Sequence, residues 1–329
     1  MIAYQLRVYS GTTPKGVITD MVWQEYTRRV NNFGMLRFLL PEGHKYAAEI
    51  QKNRRIEVWR KPEAGSWYKE ETYIIRGTQY AWNGAANDLL VTGVTGNWLL
   101  STRIVAWKSG TANRSTFDSQ KAETVAKNLV KYNLGSDATT ANGRIVAGNL
   151  SSVTVQADAA GGNAIDWSCA FENLLSTLQG VAEIGGGDFG MYWTGSAWDF
   201  RWYTGQIGTD RSASLVFSLA RDNLDSPSLT NDWLQEKTLA IIGGQGEGDD
   251  RNVRTKQGAD WSAENQIEVF VDARDVNVGE ANENDLLDKR GEATLSAAKA
   301  RSLLEFKIKQ SQFARYGTDY TVGDLGTVV

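Results

Sequence analysis

The 329-residue chain has one cysteine, Cys169, and one histidine, His44. A disulfide needs two cysteines, and a zinc site or a cysteine–histidine nucleophile pair needs several such side chains in one place. The composition therefore excludes an intrachain disulfide and predicts no Cys/His metal centre unless another chain supplies ligands. We interpret His44, in a turn with Pro41 and Gly43, as a surface loop residue, and Cys169 as a small apolar side chain on a helix.

The chain also lacks an excess of positive charge and long apolar runs. Lysine and arginine total 35 against 39 aspartate and glutamate residues, for a formal net charge of -4. An acidic chain has no overall field to hold nucleic acid, which disfavours tight DNA binding. No segment has the roughly 18 uninterrupted apolar residues of a membrane span. We expect no signal peptide, no anchor and no stable membrane insertion.

Proline is scarce, with 4 residues, whereas glycine and tryptophan are plentiful, with 33 and 12. Glycines between aromatic and β-branched runs predict many strands joined by tight turns. Residues 1–103 consist of such runs almost throughout and predict about six antiparallel strands in a small barrel or sandwich. Two hairpins are predicted within it, Arg55–Arg60 with Ser66–Ile75 and Ile74–Trp82 with Asp88–Thr95.

Residues 104–206 mix helical and strand periodicity. Apolar residues at helical spacing predict one helix over Asp118–Asn133 and a more amphipathic one over Ala164–Gln179. Aromatic runs on either side of a Thr-Gly-Ser turn predict a hairpin of residues 189–193 and 198–203. This region therefore predicts a mixed α/β domain with two helices and an aromatic hairpin.

Residues 207–329 return to a strand pattern, interrupted by a helix-compatible stretch over Glu283–Phe306. The last segment, residues 319–329, has the pattern of a turn and then a strand, without a closing turn, and we expect a truncated end. A chain of this length exceeds one ordinary core. We predict an α+β, mostly β protein with domains at 1–103, 104–206 and 207–329.

The aromatic hairpin carries the side chains most typical of a sugar site. Trp193, Trp198, Trp202 and Tyr203 are candidates either for stacking on a glycan or for packing against a neighbouring domain. Alternating aromatics on a hairpin usually pack, and we favour that interpretation.

Two further motifs invite a chemical interpretation. Asp188 and Asp199 could act as the paired carboxylates of a glycosidase, although nearby acidic pairs are common in a chain with 39 acidic residues. The glycine-rich segment 243–248 resembles a nucleotide loop, but Asp249 and Asp250 would repel phosphate and no helix is predicted next. We interpret it as a hairpin loop. A calcium loop is a weaker alternative because the acidic spacing differs from an EF-hand.

No serine nucleophile elbow, P-loop or HExxH pattern is present. We therefore predict no enzyme activity, no catalytic residues and no cofactor.

The order of features, rather than any one motif, resembles the siphovirus gp-thirty-seven-like tail proteins. The residues that carry this resemblance, over nearly the whole chain, are Val22, Trp23 and Tyr26, Asn32–Gly34, Leu36–Leu39, Arg55–Trp59, Leu90–Gly96 with Trp98, Leu99 and Arg103, the helix ending in Leu129, Val130 and Asn133, the helix Ala164–Gln179, Gly185–Gly187, the Trp193 hairpin, Leu215–Leu219, Pro227–Asn231 and Val322–Leu325.

The resemblance implies a fold like the central hub of contractile phage tails, with two tail-tube-like β-barrels flanking an inserted domain. It further implies a homotrimer that presents a pseudo-sixfold ring at the distal end of the virion tail. The implied partners are a distal tail protein or tail tube protein, the tape measure protein and tip or fibre proteins, with phage DNA in transit. Two alternatives stay open, a carbohydrate-binding protein and a cell-wall hydrolase that uses Asp188 or nearby acidic residues.

Overall fold

The computed structural model describes residues 2–63, 65–82, 84, 86–108, 114–274, 276, 279, 283–311 and 314–329. The chain is mostly β, with helices in the minority, as the sequence predicted. It divides into two compact units. The first unit comprises Met1–Thr116, Lys121–Gly162 and Ser168–Ile207, and the second comprises Phe117–Gln120, Asn163–Trp167 and Gly208–Val329.

The largest element of the first unit is a seven-stranded antiparallel sheet. Its strands are β1 (Ala3–Ser10), β2 (Thr13–Ile18), β3 (Trp23–Tyr26), β4 (Met35–Leu40), β5 (Arg55–Lys61), β6 (Tyr68–Trp82) and β7 (Asn87–Thr95). They lie in the order β2-β1-β5-β6-β7-β4-β3. Both predicted hairpins are confirmed, because β5 pairs with β6 and β6 pairs with β7.

Alternation along each strand builds the core of this sheet. In β1 the side chains of Leu6 and Val8 are fully buried, and Ile56 and Val58 of β5 lie opposite them on the same face. Irregular register within three of the strand pairs marks bulges that bend the sheet. The sheet therefore curves into a half-barrel around one apolar cluster.

The remaining elements up to residue 204 are mixed. They are α1 (Trp98–Ser101), β8 (Ser115–Lys121), α2 (Ala122–Asn133), β9 (Val153–Val155), β10 (Ala164–Cys169), α3 (Leu174–Gly185), β11 (Gly187–Trp193) and β12 (Trp198–Thr204). β8 pairs with β10, and β11, β12 and β9 form a three-stranded sheet. The predicted aromatic hairpin is confirmed as β11 and β12.

The predicted helix over Ala164–Gln179 is wrong in its first half. Residues 164–169 form strand β10, and Cys169 is buried there rather than on a helix. α3 begins only after Asn173, whose side chain accepts hydrogen bonds from the N–H groups of Leu175 and Ser176. It continues past Gly180 to Gly186, which has a left-handed backbone with φ 65° and ends the helix.

Two other local predictions need correction. The helix predicted from Asp118 begins at Ala122, because residues 118–121 complete strand β8. His44 is a buried residue, not a surface one. Its ring lies 3.1 Å from a carboxylate oxygen of Asp20 and accepts a hydrogen bond from the N–H of Tyr46. These two bonds hold the turn that follows β4.

The second unit consists of small sheets and one helix. Its elements are β13 (Val216–Phe217), β14 (Leu224–Asp232), β15 (Leu239–Gly243), β16 (Val253–Gln257), β17 (Glu268–Asp272), α4 (Glu283–Ala297), β18 (Arg301–Ile308) and β19 (Thr327–Val328). The strands pair as β13 with β19, β14 with β18, and β16-β15-β17. The glycine-rich segment 243–248 joins antiparallel β15 and β16, as predicted for a hairpin loop.

The helix-compatible stretch Glu283–Phe306 splits into α4 and β18. Gly291 lies within α4 and is buried, and a Cβ there would lie 2.7 Å from the Ile242 side chain. After Ala297 the chain turns and Leu303 and Leu304 pair with β14. Among the described residues of the second unit the strands form separate sheets, and the two-barrel layout stays a prediction.

Asp324 holds the last segment of the chain in the second unit. Its carboxylate accepts hydrogen bonds from the backbone N–H groups of Thr209 at 2.7 Å and Thr321 at 2.9 Å, and from Arg211 Nε at 3.0 Å. Burial alone would raise the pKa of Asp324, but these donors hold the pKa below its usual value of 3.8.

We expect Asp324→Asn to destabilise the protein most at neutral pH. A depressed carboxyl pKa contributes stability that is present above about pH 4 and lost as the pH falls through the folded-state pKa. The difference in free energy of unfolding between wild type and variant should therefore shrink below about pH 4. Urea denaturation at pH 7, 5 and 3 measures this difference. A difference that stays constant with pH would contradict the stabilising role of the Asp324 carboxylate.

Candidate assembly surfaces

The aromatic hairpin places the four predicted residues on two different faces. Trp193 lies opposite Trp198, and Trp202 lies opposite Phe189, so the three tryptophans share one face. Tyr203 lies opposite Asp188 and points to the other face. The four side chains therefore do not form one continuous aromatic platform.

Two of the tryptophan rings are buried within the first unit. Trp198 is 7% exposed and Trp202 is 5% exposed. A Cβ added at Gly96 would lie 2.6 Å from the Trp198 ring, and one at Gly187 would overlap the Trp202 ring. Glycine at these two positions lets the backbone approach the ring faces, which are covered as a result.

The other two rings also contact protein groups. The guanidinium of Arg55 lies 3.9 Å from the centroid of the Trp193 ring and 4.5 Å from that of Tyr9. Tyr203 packs edge to face against Tyr192, with ring centroids 6.4 Å apart. Arg55 thus connects the hairpin to strands β1 and β5 of the first sheet.

Asp188 and Asp199 do not form a catalytic pair in this hairpin. Asp199 lies opposite Tyr192, four residues along β11 from Asp188, which separates the two Cα atoms by about 13 Å. Paired glycosidase carboxylates lie about 5 to 9.5 Å apart. Asp188 accepts hydrogen bonds from Asn31 and from the N–H of Ile207. Asp199 accepts its hydrogen bonds from Thr154 and Arg201.

Two asparagines cover the outer edge of β11. Asn31 Oδ1 accepts a hydrogen bond from the N–H of Phe189 at 2.7 Å, and Asn97 Oδ1 accepts one from the N–H of Met191 at 2.7 Å. The two side chains accept hydrogen bonds from alternate N–H groups of β11, as the carbonyl groups of a neighbouring strand would. Neither asparagine was predicted from the sequence to contact the hairpin.

We expect Asn31→Gly to destabilise the first unit by about 2 kcal/mol, because it leaves the buried N–H of Phe189 without its acceptor and removes the hydrogen bond to Asp188. Asn31 has a φ of 54°, which glycine adopts without strain. Asn31→Ala should cost about 1 kcal/mol more, since alanine adds backbone strain to the same loss. Urea denaturation of both variants measures this order, and equal stabilities would show that the backbone conformation carries no cost.

The second unit carries an exposed two-stranded element, β14 with β18, which we call the ribbon. Every residue of β14 after Leu224 is exposed, and so are the first five residues of β18. In the described part of the chain, neither outer edge of the ribbon pairs with another strand. Isolated two-stranded ribbons are marginally stable in water, and bare edges attract other strands.

The two faces of the ribbon differ in chemistry. The apolar face carries the opposed pairs Leu224 with Ile308, Leu229 with Leu304, and Asn231 with Ser302. The end of this face that carries Leu224 and Ile308 packs into a small core. Farther along the same face, Leu229 is 64% exposed and Leu304 is 40% exposed. The charged face carries, in opposed pairs, Asp225 with Lys307, Ser228 with Glu305, Thr230 with Leu303, and Asp232 with Arg301.

The edges of the first sheet are protected by comparison. Edge strand β2 contains Pro14, which has no N–H to donate, and Lys15. Edge strand β3 has only four residues. Short strands, prolines and lysines are the usual means by which proteins prevent edge pairing. The ribbon also contains a proline, Pro227, at a bulge between Asp225 and Ser228. Its regular part, residues 228–232 paired with residues 301–305, has two bare outer edges and is the better candidate for contact with another chain.

Other chemistry is not indicated in the described residues. No group of three or more His, Cys, Asp or Glu side chains is placed there to hold a metal ion. Within the same residues, no helix has the length and apolar character needed to cross a membrane.

Comparison with solved structures identifies the class of fold. The 43 kDa tail protein of prophage MuSo2 from Shewanella oneidensis is similar in structure. The similarity covers 93% of this chain and 82% of that protein, with 12% sequence identity and a TM-score of 0.51. The tail protein from Neisseria meningitidis MC58 covers 83% of this chain and 72% of its own, with 12% identity and a TM-score of 0.46. Prophage tail protein gp18 from Listeria monocytogenes EGD-e covers 86% of this chain and 76% of its own, with 10% identity and a TM-score of 0.47. The first of these shows a fold shared with a phage tail protein.

The family follows from the sequence match. The chain belongs to the family described as Siphovirus ReqiPepy6 Gp37-like protein, which matches residues 6–329. The predicted resemblance is confirmed, and membership implies a component of the virion tail. A comparison with the curated proteins gave no match.

Proposed function

We propose that this chain is a structural, non-enzymatic protein of the siphophage tail tip. Three copies form a baseplate hub that closes or continues the tail tube. The hub joins a distal tail protein or tail tube protein and the tape measure protein to tip or fibre proteins. It is made in the host cytoplasm and functions at the distal end of the virion tail. Phage DNA passes it without specific binding, because the chain has a net charge of -4.

The observation that carries this proposal is the exposed ribbon. A folded monomer would leave Leu229 and Leu304 of the apolar face in water together with two bare strand edges. Exposed apolar side chains next to unpaired backbone favour a contact with other chains. Family membership adds the context, since the family is one of tail proteins.

The structure gives less support to the two alternatives. A sugar site in the hairpin would require ring faces open to solvent, but Trp198 and Trp202 are buried. A hydrolase would require two carboxylates at a working distance, but Asp188 and Asp199 are far apart and bonded to structural partners.

The test is the assembly mass of the purified protein. We expect a species of three times the 36.3 kDa chain mass by mass photometry, and a ring in negative-stain images. A monodisperse monomer at high concentration would count against the hub. Glycan binding by that monomer would then support the carbohydrate alternative, and clearing of peptidoglycan in a zymogram would support the hydrolase.

A further inference from the structure

The two outer edges of the ribbon are complementary in direction. β14 and β18 run antiparallel within one chain. If β18 of one copy lies beside β14 of the next, the strands still alternate in direction and the antiparallel ladder continues. Such a contact is heterologous, because it joins two different edges, and a repeated heterologous contact closes into a ring when the rotation permits.

The two edges are also complementary in charge. The charged side chains of β14 are both acidic, Asp225 and Asp232. β18 carries Arg301, Lys307 and Glu305, with a net positive charge. Within the chain Asp232 lies opposite Arg301 and Asp225 opposite Lys307. Opposite charges across a strand pair are stabilising and like charges are not, so β14 disfavours a second β14 as its neighbour.

We propose that the outer edge of β18 pairs head to tail with the outer edge of β14 from a second copy of this chain. The inference rests on the proposed function, since it names the strands that join the copies of the ring. It places the contact on the regular part of the ribbon, residues 228–232 and 301–305, rather than on β2 or β3, which are protected.

The same pairing extends the apolar face of the ribbon. Side chains on neighbouring strands share a face, so Leu304 of one copy would lie near Leu229 of the next. The row of leucines then continues from copy to copy, and each copy covers part of the apolar surface of its neighbour. The charged face remains free to meet water.

Mixed single-cysteine variants test the pairing. We would prepare Thr230→Cys on β14 and Leu303→Cys on β18, which both lie on the charged face. Glu305→Cys serves as a second β18 position, because a register shift of two residues preserves the face. All three positions are exposed, so the variants should fold, and the native Cys169 is fully buried. Leu304→Cys, on the opposite face, is the matched control.

Under mild oxidation, we expect covalent dimers when the β14 variant is mixed with a charged-face β18 variant. Their yield should exceed that of either variant alone, and that of the Leu304→Cys mixture, by about tenfold, because a disulfide requires closely spaced Cβ atoms. Dimers of Thr230→Cys alone would overturn the head-to-tail arrangement. A trimer without mixed dimers would overturn the strand assignment but leave the hub intact. A mixture that stays monomeric by mass photometry would overturn the pairing and the proposed function together.

Discussion

Replacement of Trp202 with alanine is expected to lower the free energy of unfolding of the first unit by about 3–5 kcal/mol. The ring is 5% exposed and lies against the backbone at Gly162, Gly185 and Gly187. Because glycine has no side chain, these three residues have no atoms that could move into the space that the ring leaves. Most of the cavity should therefore persist. Urea denaturation followed by circular dichroism measures the loss.

Trp82→Ala is the matched control for this prediction. Trp82 lies at the end of β6 and is 68% exposed, so its loss should change stability by no more than about 0.5 kcal/mol. The pair also separates packing from a glycan role. A Trp202→Ala variant that kept wild-type stability but lost glycan binding would contradict the packing role.

A charge on the apolar face of the ribbon is expected to prevent assembly. In the proposed ring Leu229 contacts a neighbouring copy, and Leu229→Glu would place an unpaired carboxylate in that contact. Burying such a charge costs about 2–5 kcal/mol, which corresponds to association weaker by about 30-fold or more. Mass photometry over a concentration series measures the shift from trimer to monomer.

The matched control changes the same residue type on the other face. Leu303 is 55% exposed, close to the value for Leu229, and points to the charged face. Leu303→Glu should therefore assemble within a few-fold of wild type. At concentrations where wild type and both variants are monomeric, all three should unfold at the same urea concentration, because neither residue is buried within the chain. Equal loss of assembly in both variants would contradict the prediction that the contact between copies lies on the apolar face.

The first sheet could be predicted from sequence because strand alternation is a local property. Leu6 and Val8 alternate with polar residues in β1, and the hairpins of β5, β6 and β7 follow from the turns between them. The error at β10 and α3 has a local cause as well. Trp167 and Phe171 have the spacing of one helical face, but the capping residue Asn173 lies beyond them.

The candidate surfaces were harder to predict. Asn31 and Asn97 have the local pattern of turn residues, and nothing in their neighbours indicates that they bond to β11 about a hundred or more residues later. Leu303 and Leu304 belong to a stretch compatible with a helix, and only pairing with β14 identifies them as strand.

The sequence by itself determined the mostly β composition, the absence of an intrachain disulfide, the aromatic hairpin and the family. These depend on residue counts, short-range periodicity and the order of motifs. Only the tertiary structure decided that Trp198 and Trp202 are buried, that Asp188 and Asp199 lie apart, and that the ribbon is bare. Burial and strand pairing depend on contacts between residues far apart in the chain, and the local pattern allows two faces for every strand.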